Sequence, residues 1–251
     1  VRSHSNNEIG PTGRVDIHSH LIPGIDDGCA DVTESIQCIR RLHSAGFVGS
    51  FCTPHMWPQL YPQTTPELVS KLTAQLQSQV QRAGLEYGLW PGAELRLFDG
   101  VVDWLQAHGV PVLGPSSAVL VDFWEDDWPS YATPALQWLL DQGYRPILAH
   151  PERLNCHDQL KQRLKEVEQM GVWLQGNLRC MTGEDGFMAD RLVRQLLQEN
   201  RYQFLALDAH RQSCLESRLN GMQLVVSEFG ESTLDQLTQE APRRCLLDQP
   251  A

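Results

Sequence analysis

The chain has no stretch of about 18 uncharged apolar residues of the kind a membrane-spanning helix needs, no Cys-x-x-Cys pair, and no cluster of lysine and arginine to offset a formal charge of −11. The first absence, with a polar N-terminus (VRSHSNNEIGPTGR) that lacks an apolar signal core, points to a cytoplasmic protein with no membrane insertion. The missing basic stripe argues against nucleic acid as a partner, because Lys and Arg must neutralise its phosphates. Seven scattered cysteines (Cys29, Cys38, Cys52, Cys156, Cys180, Cys214 and Cys245) suggest neither a disulfide framework nor a structural zinc knuckle. Reduced thiols are expected. Internal repeats, low-complexity tracts and long linkers are also missing, so we expect one domain over 15–251, preceded by a disordered tail or expression remnant at 1–14.

What is present is a regular alternation. Seven short β-rich runs (Val15–His18, Phe47–Cys52, Leu85–Leu89, Ala118–Phe123, Pro146–Leu148, Val172–Leu174 and Phe204–Leu207) are separated by helical patterns, which is the order of a parallel α/β fold. Asp31-Val32-Thr33-Glu34 can cap a helix in which Ile36, Ile39 and Leu42 recur at helical spacing before Gly46. Pro66-Glu67 opens a second, with Leu68, Leu72, Leu76 and Val80 four apart and Gly84 at its end. Further helices are expected at Thr133–Asp141, Asp158–Met170, Ala189–Asn200 and Leu215–Phe229.

Nearly every apolar run ends in a residue that can bind a metal. His18, His20 and Asp27 follow the first, His55 the second, Glu94 the third, Asp122 the fourth, His150 the fifth, and Asp208 and His210 the last. In a β/α barrel all strands point the same way, so these ends converge on one face. The His-x-His and Asp-x-His pairs carry the reading best, since strand alternation sends both side chains of each pair to one side. His4, His43, His108 and His157 stand apart and are read as surface or core histidines. Asp26 fits an Asp-Gly turn better than a ligand. Imidazoles mixed with carboxylates suit Mn, Fe or Zn rather than Mg or Ca. One ion takes about four ligands, so this set implies two or three ions. Ions roughly 3.5–4 Å apart can generate hydroxide and hold phosphoryl oxygens, which points to a phosphoesterase.

DIHSH with DDG, then TPH, GAE, AHPER and DAH, in this order over 16–210, resembles the polymerase and histidinol phosphatase (PHP) superfamily. Within it, DIHSHLIPGIDDG and AHPER are most similar to the bacterial manganese-dependent protein-tyrosine phosphatases of capsule and exopolysaccharide loci. The resemblance implies a distorted (β/α)7 barrel with a centre of two or three divalent ions, Mn foremost. Its implied substrate is phosphotyrosine on the tyrosine kinase of the polysaccharide export machinery. By position, His18, His20, Asp27, His55, Glu94, His150, Asp208 and His210 match metal ligands, and Arg153 matches a phosphate-contacting arginine.

The chain departs from the family pattern in three places. Met56-Trp57 follows His55 where the family carries an arginine, and Asp122 stands where it carries Glu. The arginine past the last histidine has two counterparts, Arg211 and Arg218, of which Arg218 is the expected one. The expected catalytic set is therefore Arg153, Arg218 and Asp27, acting by in-line attack of a metal-generated hydroxide on phosphorus. No cysteine has an arginine six positions later, so a cysteinyl-phosphate mechanism is not expected. Trp57, Tyr61, Trp124 and Trp128 can line the mouth or pack beneath its loops. The alternatives are a histidinol-phosphate type phosphomonoesterase and an inactive phosphotyrosine-binding relative. A homo-oligomer is compatible with the resemblance, although 31–46 is no more apolar than a core-facing helix requires.

Overall fold

Alternating hydrophobic runs and capped helices give a layered α/β architecture in a computed structural model that describes residues 12–154 and 157–247. Residues 1–11, 155–156 (with Cys156) and 248–251, and the side chains of His157, Asp158 and Leu247, lie outside the described residues. The first strand, β1 (Arg14–Ser19), starts one residue before the expected domain start. Arg14 is tied there to Glu231 at 2.5 Å and Asp235 at 2.7 Å.

The remaining strands are β2 (Phe47–Cys52), β3 (His55–Met56), β4 (Gly88–Pro91), β5 (Glu94–Arg96), β6 (Ala118–Asp122), β7 (Arg145–Ala149), β8 (Trp173–Asn177) and β9 (Phe204–Ala206), every ladder between them parallel. They form two sheets, ordered β1-β2-β4 and β3-β5-β6-β7-β8-β9. Because β3 continues β2 past Thr53-Pro54 and β5 continues β4 past Gly92-Ala93, the strands occupy seven parallel lanes. Proline at 54 has no N–H to donate to a ladder, which fits the break there. A bridge between Ser19 and Ala209 sets the lane of β9 beside that of β1. The seven-lane alternation matches the expectation, while the ladder is divided into two sheets.

The strands bury both faces, as parallel sheets covered by helices do. Val15, Ile17, Phe51, Leu120, Ile147 and Phe204 form one cluster, whereas Val119, Val121, Leu148 and Leu205 pack with the helices. Helix α1 (Val32–Ser44) is capped by the Asp31 carboxylate, and α2 (Pro66–Arg82) by Thr65. The chain then adds α3 (Val101–His108), α4 (Ala132–Asp141), α5 (His157–Met170), α6 (Phe187–Gln198), α7 (Leu215–Phe229) and helical turns over 231–247. The run expected as a strand at Leu85–Leu89 is found later, as β4 (Gly88–Pro91), with the Gln77 side chain on the backbone of Tyr87 and Leu89.

Candidate metal centre

Strand ends deliver the ligand-type side chains to one place. His18 lies in β1 and His20 just past it, His55 opens β3, Glu94 opens β5, His150 follows β7, and Asp208 and His210 follow β9. Two of these carry left-handed backbone, His150 at φ 31° and Asp208 at φ 51°. Such backbone is uncommon outside glycine and clusters at functional sites.

Three groups of ligand atoms lie close enough to surround an ion: His20, Asp27, His55 and His210; His18, His20 and Asp208; and His18, Glu94 and His150. They take in every expected ligand except Asp122. That shorter carboxylate lies 3.9 Å from His150 Nδ1, and its Oδ1 is buried without a hydrogen bond. Burial pushes Asp122 up to about 7.

The chemistry of the donor set can be read from hydrogen bonds. His18 Nδ1 lies 2.9 Å from Gln175 Oε1, which can only accept, so the proton sits on Nδ1 and the Nε2 lone pair is free. His20 repeats this with Asp26 Oδ2 at 2.7 Å, and His210 with the Asp208 carbonyl at 2.9 Å. Metal-ligating histidines are oriented in this way by a partner on the other nitrogen. The two freed Nε2 atoms of His18 and His20 then face each other at 3.3 Å. Glu94 Oε2 lies 3.4 Å from His18 Nε2, 3.5 Å from His20 Nε2 and 2.8 Å from His55 Nδ1, yet it is buried and makes no hydrogen bond of acceptable geometry. Lone pairs converging on an orphaned carboxylate oxygen need a cation between them, so the residues present fit divalent metal.

Electrostatics agree. Burial lowers the His18 and His20 imidazoles, but the surrounding carboxylates outweigh it and hold both above the ordinary value. Burial likewise raises Glu94 and Asp208, and the neighbouring imidazoles overcome it, leaving both well below the carboxylate range. The pocket therefore favours positive charge among its carboxylates. His210 goes the other way, to about 4, through burial and then the charge of His20.

The arginines divide by role. Arg153, in the 3-10 turn after β7, donates from Nη1 to Asp208 Oδ2 at 3.0 Å and lines a cavity of about 250 Å³ with Asp122, Trp124 and His150. Arg218, expected as a phosphate contact, is buried in α7 with Nε donating to the Leu207 and Asp208 carbonyls at 2.7 and 2.9 Å and Nη1 to Cys214 O at 3.0 Å. Its guanidinium holds backbone beneath Asp208. The other counterpart, Arg211, is exposed and donates to the Asp27 carbonyl at 3.3 Å, so it stands on the open side of the centre.

Some residues were not foreseen. Asp26 makes the expected turn by accepting from Gly28 N, but also orients His20 and accepts from His55 N. Gln175 and Asn177 in β8 orient His18 and Asp208. Trp128 packs beneath its loop with its indole on Thr133, whereas Trp124 is half exposed at the cavity. His43 and His108 are exposed.

Residues 14–247 match the family model for capsular polysaccharide synthesis, CpsB/CapC. The tyrosine-protein phosphatase YwqE of Bacillus subtilis is 27% identical over 90% of this chain and 89% of its own. CpsB of Streptococcus agalactiae, named likewise, is 25% identical over 89% of this chain and 94% of its own. A solved chain from work on YwqE of B. subtilis and CpsB of Streptococcus pneumoniae, described as metal-dependent tyrosine phosphatases, superposes with a TM-score of 0.83 at 26% identity, covering 94% of this chain and 95% of that one. The phosphotriesterase homology protein of Escherichia coli, at 12% identity and a TM-score of 0.59, shares the fold.

Proposed function

The chain belongs to the capsular polysaccharide synthesis CpsB/CapC family, and from that membership we propose a metal-dependent protein-tyrosine phosphatase acting on tyrosine-phosphorylated protein of a polysaccharide-assembly system. The observation that carries it is the pair of histidine Nε2 lone pairs facing each other beside the buried Glu94 Oε2, which makes no hydrogen bond. His18, His20, Asp27, His55, Glu94, His150, Asp208 and His210 would hold the metal. The mixed nitrogen and oxygen donors suit Mn, Fe or Zn, and manganese is the resident ion we favour, on the resemblance to the manganese-dependent phosphatases. Bound divalent ions supply a nucleophilic hydroxide near neutral pH and neutralise phosphoryl charge.

The chain's own residues do the rest. Arg153 presents a planar guanidinium at the cavity, suited to two phosphoryl oxygens at once. Its bond to Asp208 fixes that fork before substrate arrives. Asp26 and Gln175 hold the imidazole protons of His20 and His18 on Nδ1, away from the reacting group. A phenolate leaves with a pKa near 10, so it needs less protonation than an alkoxide would.

The partner we favour is the phosphorylated tyrosine kinase of the export machinery, met in the cytoplasm. Among the described residues no helix is long and apolar enough to cross a membrane. The test is hydrolysis with Mn added and with chelator, on a phosphotyrosine peptide beside histidinol phosphate and an alkyl phosphate. Chelator-sensitive preference for the peptide is expected. Preference for histidinol phosphate would move the function to small-molecule metabolism.

A further inference from the structure

Trp124 is a large apolar side chain left 50% exposed, and it lines the same cavity as His150 and Arg153. An indole on a loop in water is ordinarily free to move. This one is held on several sides. Its ring meets the His55 imidazole edge to face at 5.6 Å and 85°, and the Trp57 ring at 5.3 Å and 79°. The Arg96 guanidinium lies 4.5 Å from the Trp57 centroid and 5.0 Å from that of Trp124, so both indoles share one cation.

Arg96 is itself anchored. Its Nη2 donates to Glu125 Oε1 at 2.9 Å, and the Tyr131 hydroxyl donates to the same oxygen at 2.5 Å. Its Nη1 is buried with no hydrogen-bond partner. Leaving a charged N–H unpaired works against stability, and the attraction of a cation to two indoles offsets it. The net result is an immobilised indole at the cavity rather than a better-packed core.

We propose that Trp124 is the surface against which the aryl ring of the substrate rests, and that Arg96 is the positioning residue that holds it there. The inference rests on the phosphatase reading and deepens it. His55 joins the candidate metal group with His20, Asp27 and His210. Because Trp124 lines the cavity with Arg153 and meets the His55 ring, a phosphoryl group held between Arg153 and that group would bring its ester substituent beside the indole. An aromatic substituent gains a ring contact there that an alkyl chain cannot match. Trp57, two residues past His55, thus supplies an indole that helps fix this wall.

The experiment compares affinities for phenylphosphonate and methylphosphonate, by calorimetry on the metal-loaded protein, so that the wall is read without turnover. Phenylphosphonate is expected to bind the unmodified protein more tightly. Trp124→Ala should reduce that excess by about 2- to 13-fold, the span of one aromatic pair, with methylphosphonate affinity and melting temperature held. Arg96→Met should lose the same excess, and Trp124→Phe should keep most of it. On a phosphotyrosine peptide, the Trp124→Ala loss should fall in KM more than in kcat. Equal affinity of the two phosphonates for the unmodified protein, or an undiminished phenyl excess in Trp124→Ala, would overturn the inference. Absence of phosphotyrosine hydrolysis by the unmodified protein would overturn the phosphatase reading instead, with the phosphonate comparison still deciding the wall.

Discussion

His18 Nε2 and His20 Nε2 stand 3.3 Å apart while Gln175 and Asp26 occupy the opposite nitrogen of each ring. Two lone pairs at that distance repel unless positive charge lies between them. The double substitution His18→Ala with His20→Ala removes donors from all three candidate groups. We expect metal content, measured by elemental mass spectrometry, to fall to near zero and hydrolysis to background, with the far-UV circular dichroism of the unmodified protein. Retained activity in the metal-loaded double variant would place the centre elsewhere.

Asp26 tests whether orientation matters as much as ligation. Its carboxylate accepts from His20 Nδ1, Gly28 N and His55 N at 2.7, 3.0 and 2.9 Å, and the neighbouring His20 overcomes burial to lower it to about 2. Asp26→Asn preserves shape and removes the charge that favours the Nδ1 proton. Outer residues of this kind are worth about 10- to 100-fold in metal affinity, and a loss in that range is expected in competition with a chelating dye. No change would reduce Asp26 to a turn residue.

How much of this was legible follows from where each residue sits. The ligand-type residues were visible because each ends a short apolar run, and parallel strands carry such ends to one face. Gln175 and Asn177 were not, because their partners lie 157 and 31 residues away. Only the polar residues in VWLQGN, at the close of an apolar run, hinted at them. Helix α3 escaped notice because Gly100 opens it without a capping side chain. Position in sequence could not separate Arg211 from Arg218, since side-chain direction depends on how α7 packs.

The two arginines nearest Asp208 should fail differently. Arg153→Lys keeps charge but loses the planar fork, so kcat/KM should drop by about a hundredfold, as for loss of one transition-state donor, with melting temperature unchanged. Arg218→Met takes this donor from the carbonyls of Leu207, Asp208 and Cys214, of which Asp208 keeps His210 Nδ1 and Cys214 keeps the Ser217 hydroxyl. A hydrogen bond from a charged donor carries about 1.5–3 kcal/mol, and with two of the three carbonyls keeping another donor a stability loss of about 3 kcal/mol is expected in urea denaturation. A normal denaturation midpoint with impaired phosphate affinity in Arg218→Met would restore it as a substrate contact.

Gly221 links the same helix to the site through packing. It is buried in α7, and a Cβ placed there would lie 2.0 Å from the Leu178 carbonyl oxygen and 2.7 Å from its carbon. Alanine is the better helix former by about 1 kcal/mol, which taken alone predicts a more stable Gly221→Ala. Overlap with backbone wins, because forcing atoms into a filled interface costs about 1–3 kcal/mol or more, and Leu178 cannot yield without moving its neighbour. That neighbour, Asn177, donates to Asp208 Oδ2 at 2.9 Å, while Arg218 on the displaced helix grips the Asp208 carbonyl. Relief of the clash therefore pulls on Asp208 from two sides. Gly221→Ala should lose about 2 kcal/mol in denaturation and also bind metal more weakly, although it touches no ligand. A stabilised variant with full metal affinity would show that α7 can shift independently of the centre.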